Sequence, residues 1–341
     1  MHTPYFSIVI PAYNCESFIC DALESIGLQS CKDWETLIAA DTTSSDDTVF
    51  TCINQSVISR DKVRVIPVGH IGQYAARRHL VELSKGEVIV SLDADDRLIS
   101  HDALKIIKNK IQINNCDMVM FNGTRSLSRN DSIVDYSRLC QEKDGRLNIK
   151  SLINYMLTSY ELNNIWLKAF KRSKAAFNSN GRILHNTEDR LQCIELLTNI
   201  ESCYLIDEPF YFYRTNHNSV TQSTYKYSYF EDALYVESRA NELLMPLCRD
   251  RVSIRERRLF LCETVAMLLQ MLFETSDDRE HRLQMYESIR SYGLELKVLP
   301  KRTAIIRPDY AMMYSHFIKG SFMTLDRLLQ TKKTIKSIIS N

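Results

Sequence analysis

No charge of one sign dominates this sequence. Its 43 lysines and arginines meet 42 aspartates and glutamates, leaving a formal net charge of +1. So weak a net field gives no electrostatic case for nucleic acid as a partner. The 10 cysteines form no CxxC pair and no Cys/His spacing, which excludes a zinc site of the usual kind. Scattered thiols of this sort fit a reducing compartment. No apolar run approaches the roughly 20 residues of a membrane-spanning helix. The N-terminus enters a strand almost at once, without the basic and apolar segments of a secretory signal. The expectation is a cytoplasmic protein. Internal repeats and low-complexity segments are also missing.

What is present is ordinary in amount. Hydrophobic residues make up 45% and charged residues 25% of 341 positions, enough for a sizeable core and, at roughly 150 residues each, about two domains. The first 120 or so residues alternate between two periods. Residues 6–10 form a short apolar run stopped by Pro11, and further strands are predicted over 36–40, 63–68, 88–92 and 117–121. Helices are predicted over 17–26, where Ile19, Leu23 and Ile26 share a face, and over 47–58, 73–84 and 103–113. Gly86 reads as the stop of the third of these helices. Alternating strands and helices imply parallel pairing with right-handed crossovers. Ligands in such sheets sit beyond the carboxyl ends of the strands. That rule singles out PAYN at 11–14, DTTSSDD at 41–47 and DADD at 93–96.

The DADD stretch puts Asp93, Asp95 and Asp96 at the end of a strand. Clustered carboxylates repel and raise one another's pKa unless a cation is near. A hard ion such as Mg²⁺ or Mn²⁺ relieves this with one or two protein carboxylates, taking its other ligands from water and phosphate oxygens. If strand geometry persists, the outer carboxylates of Asp-Ala-Asp point the same way. Helix capping and solvated loop charge account for the same residues, and Asp102 can cap the next helix.

Residues 5 to about 221 resemble an inverting family 2 glycosyltransferase of the GT-A fold. The matching stretches, in order, are FSIVIPAYNCESFICDALESIGLQS at 6–30, AARR at 75–78, KGEVIVSLDADD at 85–96, NNIWLKAFKRS at 163–173, TEDRLQCIELL at 187–197 and EPFYFYRTNHNSVTQS at 208–223. The resemblance implies an α/β fold with a Rossmann-like mixed sheet flanked by helices. It implies a catalytic domain over 1–224, with a nucleotide-binding half over 1–121 and an acceptor-binding half over 122–224. A mainly helical region over 225–341 lies beyond it.

The resemblance also implies roles. Pro11, Ala12 and Tyr13 match the loop around base and ribose, and Asp41 the acceptor for a uracil-like N–H. Asp93 and Ala94 match the ribose side and Asp95 the ligand of Mn²⁺ or Mg²⁺, with Asp96 supporting the loop. Arg77 matches an arginine near the nucleotide. Asp189 matches the catalytic base and Glu188 its neighbour that orients the acceptor; an acidic pair at a helix N-terminus accounts for them structurally as well. Arg214 and His217 match the region that closes over the pyrophosphate, with His217 a further metal ligand. Trp166 matches an aromatic position on the acceptor side, and Lys168 reads as a surface charge beside it. This chain departs from the family pattern at Ala40-Asp41-Thr42-Thr43, at His70 and at Arg78.

The expected activity is transfer of a sugar from a nucleoside-diphosphate sugar, UDP-sugar by default, to a hydroxyl of a glycan or lipid-linked glycan, in surface polysaccharide synthesis. Two alternatives compete. A sugar-phosphate nucleotidyltransferase needs a glycine-rich loop after the first strand, where this chain has PAYNCESF. A silent glycan-binding or scaffolding relative would lack acids that this chain retains. The C-terminal helices could serve as a cap, a homo-oligomer interface or a peripheral membrane surface. Arg249, Arg251, Arg255, Arg257 and Arg258 form a basic cluster, and Lys332, Lys333 and Lys336 alternate with isoleucines at the end, a pattern shared by solvated and lipid-facing helices.

Overall fold

The computed structural model describes residues 3–58, 61–125, 136, 139, 145–215, 227–248, 250–275, 278–295 and 308–339. The chain forms two compact units, one of residues 1–156, 160–184 and 188–219, the other of 157–159, 185–187 and 220–341.

The first unit is built on a mixed sheet that has nine strands among the described residues, ordered β3-β2-β1-β4-β8-β6-β9-β5, with β7 also on β9. β1 (Phe6–Ala12), β2 (Trp34–Asp41), β3 (Val63–Val68) and β4 (Val88–Ser91) are mutually parallel. They are joined by α1 (Ile19–Gly27), α2 (Thr48–Ile58) and α3 (Gly72–Leu83). Every residue of β2 and β4 is buried, as befits strands covered on both faces. The expected fifth parallel strand, β6 (Met118–Thr124), does not adjoin β4. Antiparallel β8 (Lys168–Lys171) lies between them. β9 (Cys203–Phe212) runs parallel to β6, with register breaks around Asn122 and Gly123. Pro209 falls at these breaks, where a missing amide donor is tolerated. The short β5 (Arg97–Leu98) and β7 (Arg146–Leu147) pair with β9, and α4 (Ala103–Asn114), α5 (Ile149–Thr158) and α6 (Glu188–Leu197) complete the unit.

The parallel strands bring Tyr13, Asp41 and Asp93 to one edge, because the carboxyl ends of β1, β2 and β4 lie side by side. Gly86 is not a helix stop. α3 ends at Leu83, and Gly86 passes so close to β1 that an added Cβ would sit 2.5 Å from the Ser7 nitrogen. Its amide donates to the Ser7 hydroxyl at 2.8 Å, which in turn donates to Glu35 at 2.7 Å. Asp102 occupies the position before α4, yet its carboxylate accepts from the Ser30 hydroxyl at 2.6 Å and caps nothing.

The second unit is helical: α7 (Tyr227–Leu244), α8 (Arg251–Thr275), α9 (Arg279–Glu295), α10 (Pro308–Ile318) and α11 (Phe322–Ile339). Arg257 does not belong to a solvated basic cluster. It is buried, paired with Glu237 at 2.7 Å, and donates to Asn241 and the Leu157 carbonyl, each at 2.7 Å. A buried arginine persists only with its donors matched in this way. Arg249 and the side chains of Lys332, Lys333 and Lys336 lie outside the description. No helix among the described residues is long and apolar enough to cross a membrane.

Gly86→Ala should cost about 1–3 kcal/mol, because backbone rather than a flexible side chain blocks the new methyl. A lower urea midpoint at unchanged slope checks this; an unaltered midpoint would remove the close approach from the account.

Candidate active site

The site is assembled where α3 meets α6. Tyr74 and Arg77 lie three residues apart on α3, and Asp189, Gln192 and Glu195 repeat every three on α6, so each set shares a helix face. Arg77 donates through Nη1 to the carboxylate of Asp189 and to Gln192 at 3.1 Å, and through Nη2 to Asp93 at 2.7 Å. One turn away, the Tyr74 hydroxyl donates to Glu195 at 2.5 Å. Arg77 is only 1% exposed. Burial alone would weaken its hold on its proton, but the carboxylates of Asp189, Asp93 and Glu188 more than offset this. The same guanidinium restrains Asp189, which burial pushes above the ordinary carboxylate range, with the Asp93 charge adding to the rise. Glu188 is pushed up to about 7 by burial and then by the Asp189 charge. Thr187, just before this pair, has φ 60°, a left-handed conformation that a β-branched residue seldom adopts and that is often found beside functional groups.

Strand geometry does not persist through DADD. β4 ends at Ser91, and a turn closes with the Asp96 amide donating to the Asp93 carbonyl at 3.1 Å. Each carboxylate therefore has its own direction. Asp93 faces Arg77 and accepts from Gln73 at 3.3 Å. Asp96 is buried and accepts from the Tyr211 hydroxyl at 2.7 Å and the Arg214 amide at 2.8 Å. The Tyr211 oxygen also accepts the Asp93 amide at 3.2 Å, so one phenol spans the turn. Burial, and then the charges of Asp93 and Asp95, push Asp96 up to about 8.

At the carboxyl end of β2, Asp41 Oδ1 accepts from the Thr43 amide at 2.9 Å and hydroxyl at 2.7 Å, while Oδ2 lies 3.0 Å from His70 Nδ1. Burial raises Asp41, but these bonds prevail and hold it below the usual range. An ionised carboxylate only accepts, so the proton between them belongs to His70 Nδ1. The half-exposed Tyr13 ring lies 5.3 Å from that imidazole. Pro11 and Ala12 end β1 beneath them, and Ala94 is buried within the DADD turn.

Arg214 donates through Nε to the Asp95 carbonyl at 2.9 Å and through Nη2 to Asp21 at 2.8 Å, with its guanidinium 5.1 Å from the Phe18 ring. His217 lies outside the described residues. Trp166 is core, stacked on Tyr211 at 4.5 Å and Tyr213 at 5.5 Å. Lys168 is not a surface charge. It is buried and donates to the carbonyls of Leu162 and Asn164, each at 2.8 Å. Tyr211 on β9 and Asp21 on α1 carry no mark of these partnerships in the sequence, and Gln192 has only its three-residue spacing from Asp189 on α6.

Among the described residues no three metal-ligating side chains converge. An ion of the magnesium type does not require three, since it takes one or two carboxylates and completes its shell with water and phosphate. Asp93 and Asp95 add to the rise that burial gives Asp96, and that crowding of negative charge is what such an ion relieves, so the residues fit one.

A Rossmann-like mixed sheet with acids at the carboxyl ends of its parallel strands is the architecture of a GT-A glycosyltransferase. The crystal structure of Staphylococcus aureus TarS, residues 1–349, solved with UDP-GlcNAc, superposes with a TM-score of 0.71 at 16% identity, covering 96% of this chain and 92% of that one. Residues 7–173 match the model of glycosyl transferase family 2, and this part of the chain belongs to that family. It is 25% identical over 232 residues to the uncharacterized glycosyltransferase EpsJ of Bacillus subtilis, spanning 65% of this chain and 64% of EpsJ. It is 29% identical over 131 residues to an Escherichia coli chondroitin synthase, a match to 38% of this chain and 19% of that enzyme.

A pH dependence follows from Asp96. Its carboxyl titrates near 8 in the fold and near about 3.9 in an unfolded chain. The folded state holds the proton more tightly, so the Asp96 contribution to stability is full below the lower value and lost as pH rises through the higher. Metal-free protein should lose stability between about pH 5 and 8 in urea titrations, and Asp96→Asn should fall less steeply. An equal slope in the variant would assign the dependence to another group.

Proposed function

We propose that this chain is an inverting, metal-assisted glycosyltransferase that moves a sugar from a nucleoside-diphosphate donor, UDP-sugar in the first instance, to a hydroxyl of a glycan or lipid-linked glycan during surface polysaccharide synthesis at the cytoplasmic side of a membrane. One observation carries the reading. A single buried guanidinium joins Asp189, the carboxylate matched to the base, to Asp93 of the DADD turn, matched to the donor. The donor class is supported by TarS, solved with UDP-GlcNAc, and the acceptor class by the partial likeness to chondroitin synthase.

In this reading Tyr13 and Asp41 receive the base, with Pro11 and Ala12 shaping the loop, and Asp93 and Ala94 border the ribose. Asp95, with His217, would hold Mn²⁺ or Mg²⁺, which when bound compensates charge on the leaving diphosphate. Arg214 adds positive charge on the same side. Asp189 takes the proton of the acceptor hydroxyl as its oxygen attacks the anomeric carbon from the face opposite the diphosphate. The bond to the phosphate oxygen breaks with its electron pair, and the configuration inverts in one displacement. Asp189 suits this work because burial makes it more basic than an exposed aspartate while Arg77 keeps it ionised. Glu188 sits beside it to orient the acceptor.

Two variants test the reading. Wild-type protein should show a thermal shift with UDP that requires Mn²⁺, and Asp95→Ala should lose the metal-dependent part. Asp189→Asn should keep most of that shift and lose at least about 100-fold in turnover, the usual weight of a general base. Wild-type turnover in Asp189→Asn would reject the base assignment, and no shift with any nucleoside diphosphate would favour a silent relative.

A further inference from the structure

We propose that Arg77 is a positioning residue of the transfer reaction, which keeps the base Asp189 ionised and aimed by holding it on the same guanidinium as the donor-side Asp93. This rests on the reading of Asp189 as the base.

The charges around Asp189 argue for it. From α3 it faces Arg77, from the turn after β4 Asp93, from β8 Lys168, and from its own helix Glu188. Lys168 gives its hydrogen bonds to two backbone carbonyls, and its charge acts on Asp189 less than that of Arg77, which also bonds it directly. Without Arg77 three half-buried carboxylates crowd one place, and at least one of them takes up a proton near neutrality. A protonated Asp189 cannot accept the hydroxyl proton. The guanidinium prevents this, and only a planar fork can reach Asp189, Gln192 and Asp93 through two separate nitrogens.

A purely structural role explains less. α3 and α6 are already joined one turn away by Tyr74 and Glu195, and Glu195 also accepts the Asn178 amide at 3.2 Å. The helix pair has its anchor there, so Arg77 adds charge and direction to a contact that packs without it. The Arg77 Nε finds no partner among the described residues, which is a poor arrangement for stability alone.

The experiment is a carboxyl-carbon NMR titration of full-length protein labelled at aspartate Cγ, with Asp189 and Asp93 assigned from their asparagine variants. It is run metal-free on wild type, Arg77→Gln and Arg77→Lys. In Arg77→Gln the Asp189 midpoint should rise by about one to three pH units, the effect of losing one adjacent cation. Arg77→Lys keeps the charge without the fork and should shift it less. An unmoved midpoint in both variants overturns the proposal, and if only the lysine variant folds, its unmoved midpoint does so. In parallel, UDP release from UDP-GlcNAc is followed against pH. The acid limb should move upward with the NMR midpoint, whereas a structural defect would lower the rate equally at every pH. Activity retained in Asp189→Asn would reject the base assignment while leaving the NMR result to judge Arg77 by itself.

Discussion

The interaction on which the catalytic unit depends is the burial of one guanidinium among carboxylates. Arg77 could not sit at 1% exposure without its partners, because an unpaired charge in such a place costs several kcal/mol. The partners, equally, could not lie so close together without it. Their mutual need fixes geometry, since a planar fork accepts carboxylates only along set directions. The heading of Asp189 and that of Asp93 are thus set by one side chain, while Tyr74 and Glu195 join α3 to α6 one turn away.

The DADD turn is held from the other direction by the end of β9. The Tyr211 hydroxyl links the Asp93 amide to the Asp96 carboxylate, and its ring stacks on Trp166. Arg214 grips the Asp96 side chain through its backbone and the Asp95 carbonyl through its guanidinium. An acidic turn would ordinarily spread into solvent. Here aromatic packing holds it folded, and burial together with the neighbouring charges raises Asp96.

The sequence disclosed what depends on local period. The first four strands and first four helices were legible to within about two residues, because buried parallel strands and amphipathic helices carry their pattern in the chain itself. α6 could not be read that way. Arg190 through Leu197 are all buried, so no polar face marks a helical period, and only the order of motifs pointed to Glu188 and Asp189. The errors share a cause. Lys168, Arg257 and Gly86 were judged by residue type, yet each is fixed by partners distant in sequence or by a strand passing at close range. Arg77 was named, but its partnership with a residue 112 positions away was not available from spacing. At DADD the alternation expected if strand geometry persisted gives way to a turn, which local period does not disclose.

Many of the bonds that define the site cross between residues 1–121 and the part of the unit that follows. Arg77, Asp93 and Asp96 come from the first 121 residues, and Asp189, Gln192, Tyr211 and Arg214 from the second half. Antiparallel β8 makes this unavoidable, because it inserts second-half backbone directly beside β4. The first 121 residues cannot bury Arg77 by themselves, since it would face solvent with a single carboxylate. The second half alone would leave Glu188 and Asp189 side by side without that cation. Folding the halves together therefore brings Asp189 and Asp93 to one guanidinium, and a crowding of charges that would be unfavourable in either half becomes the condition of their fit.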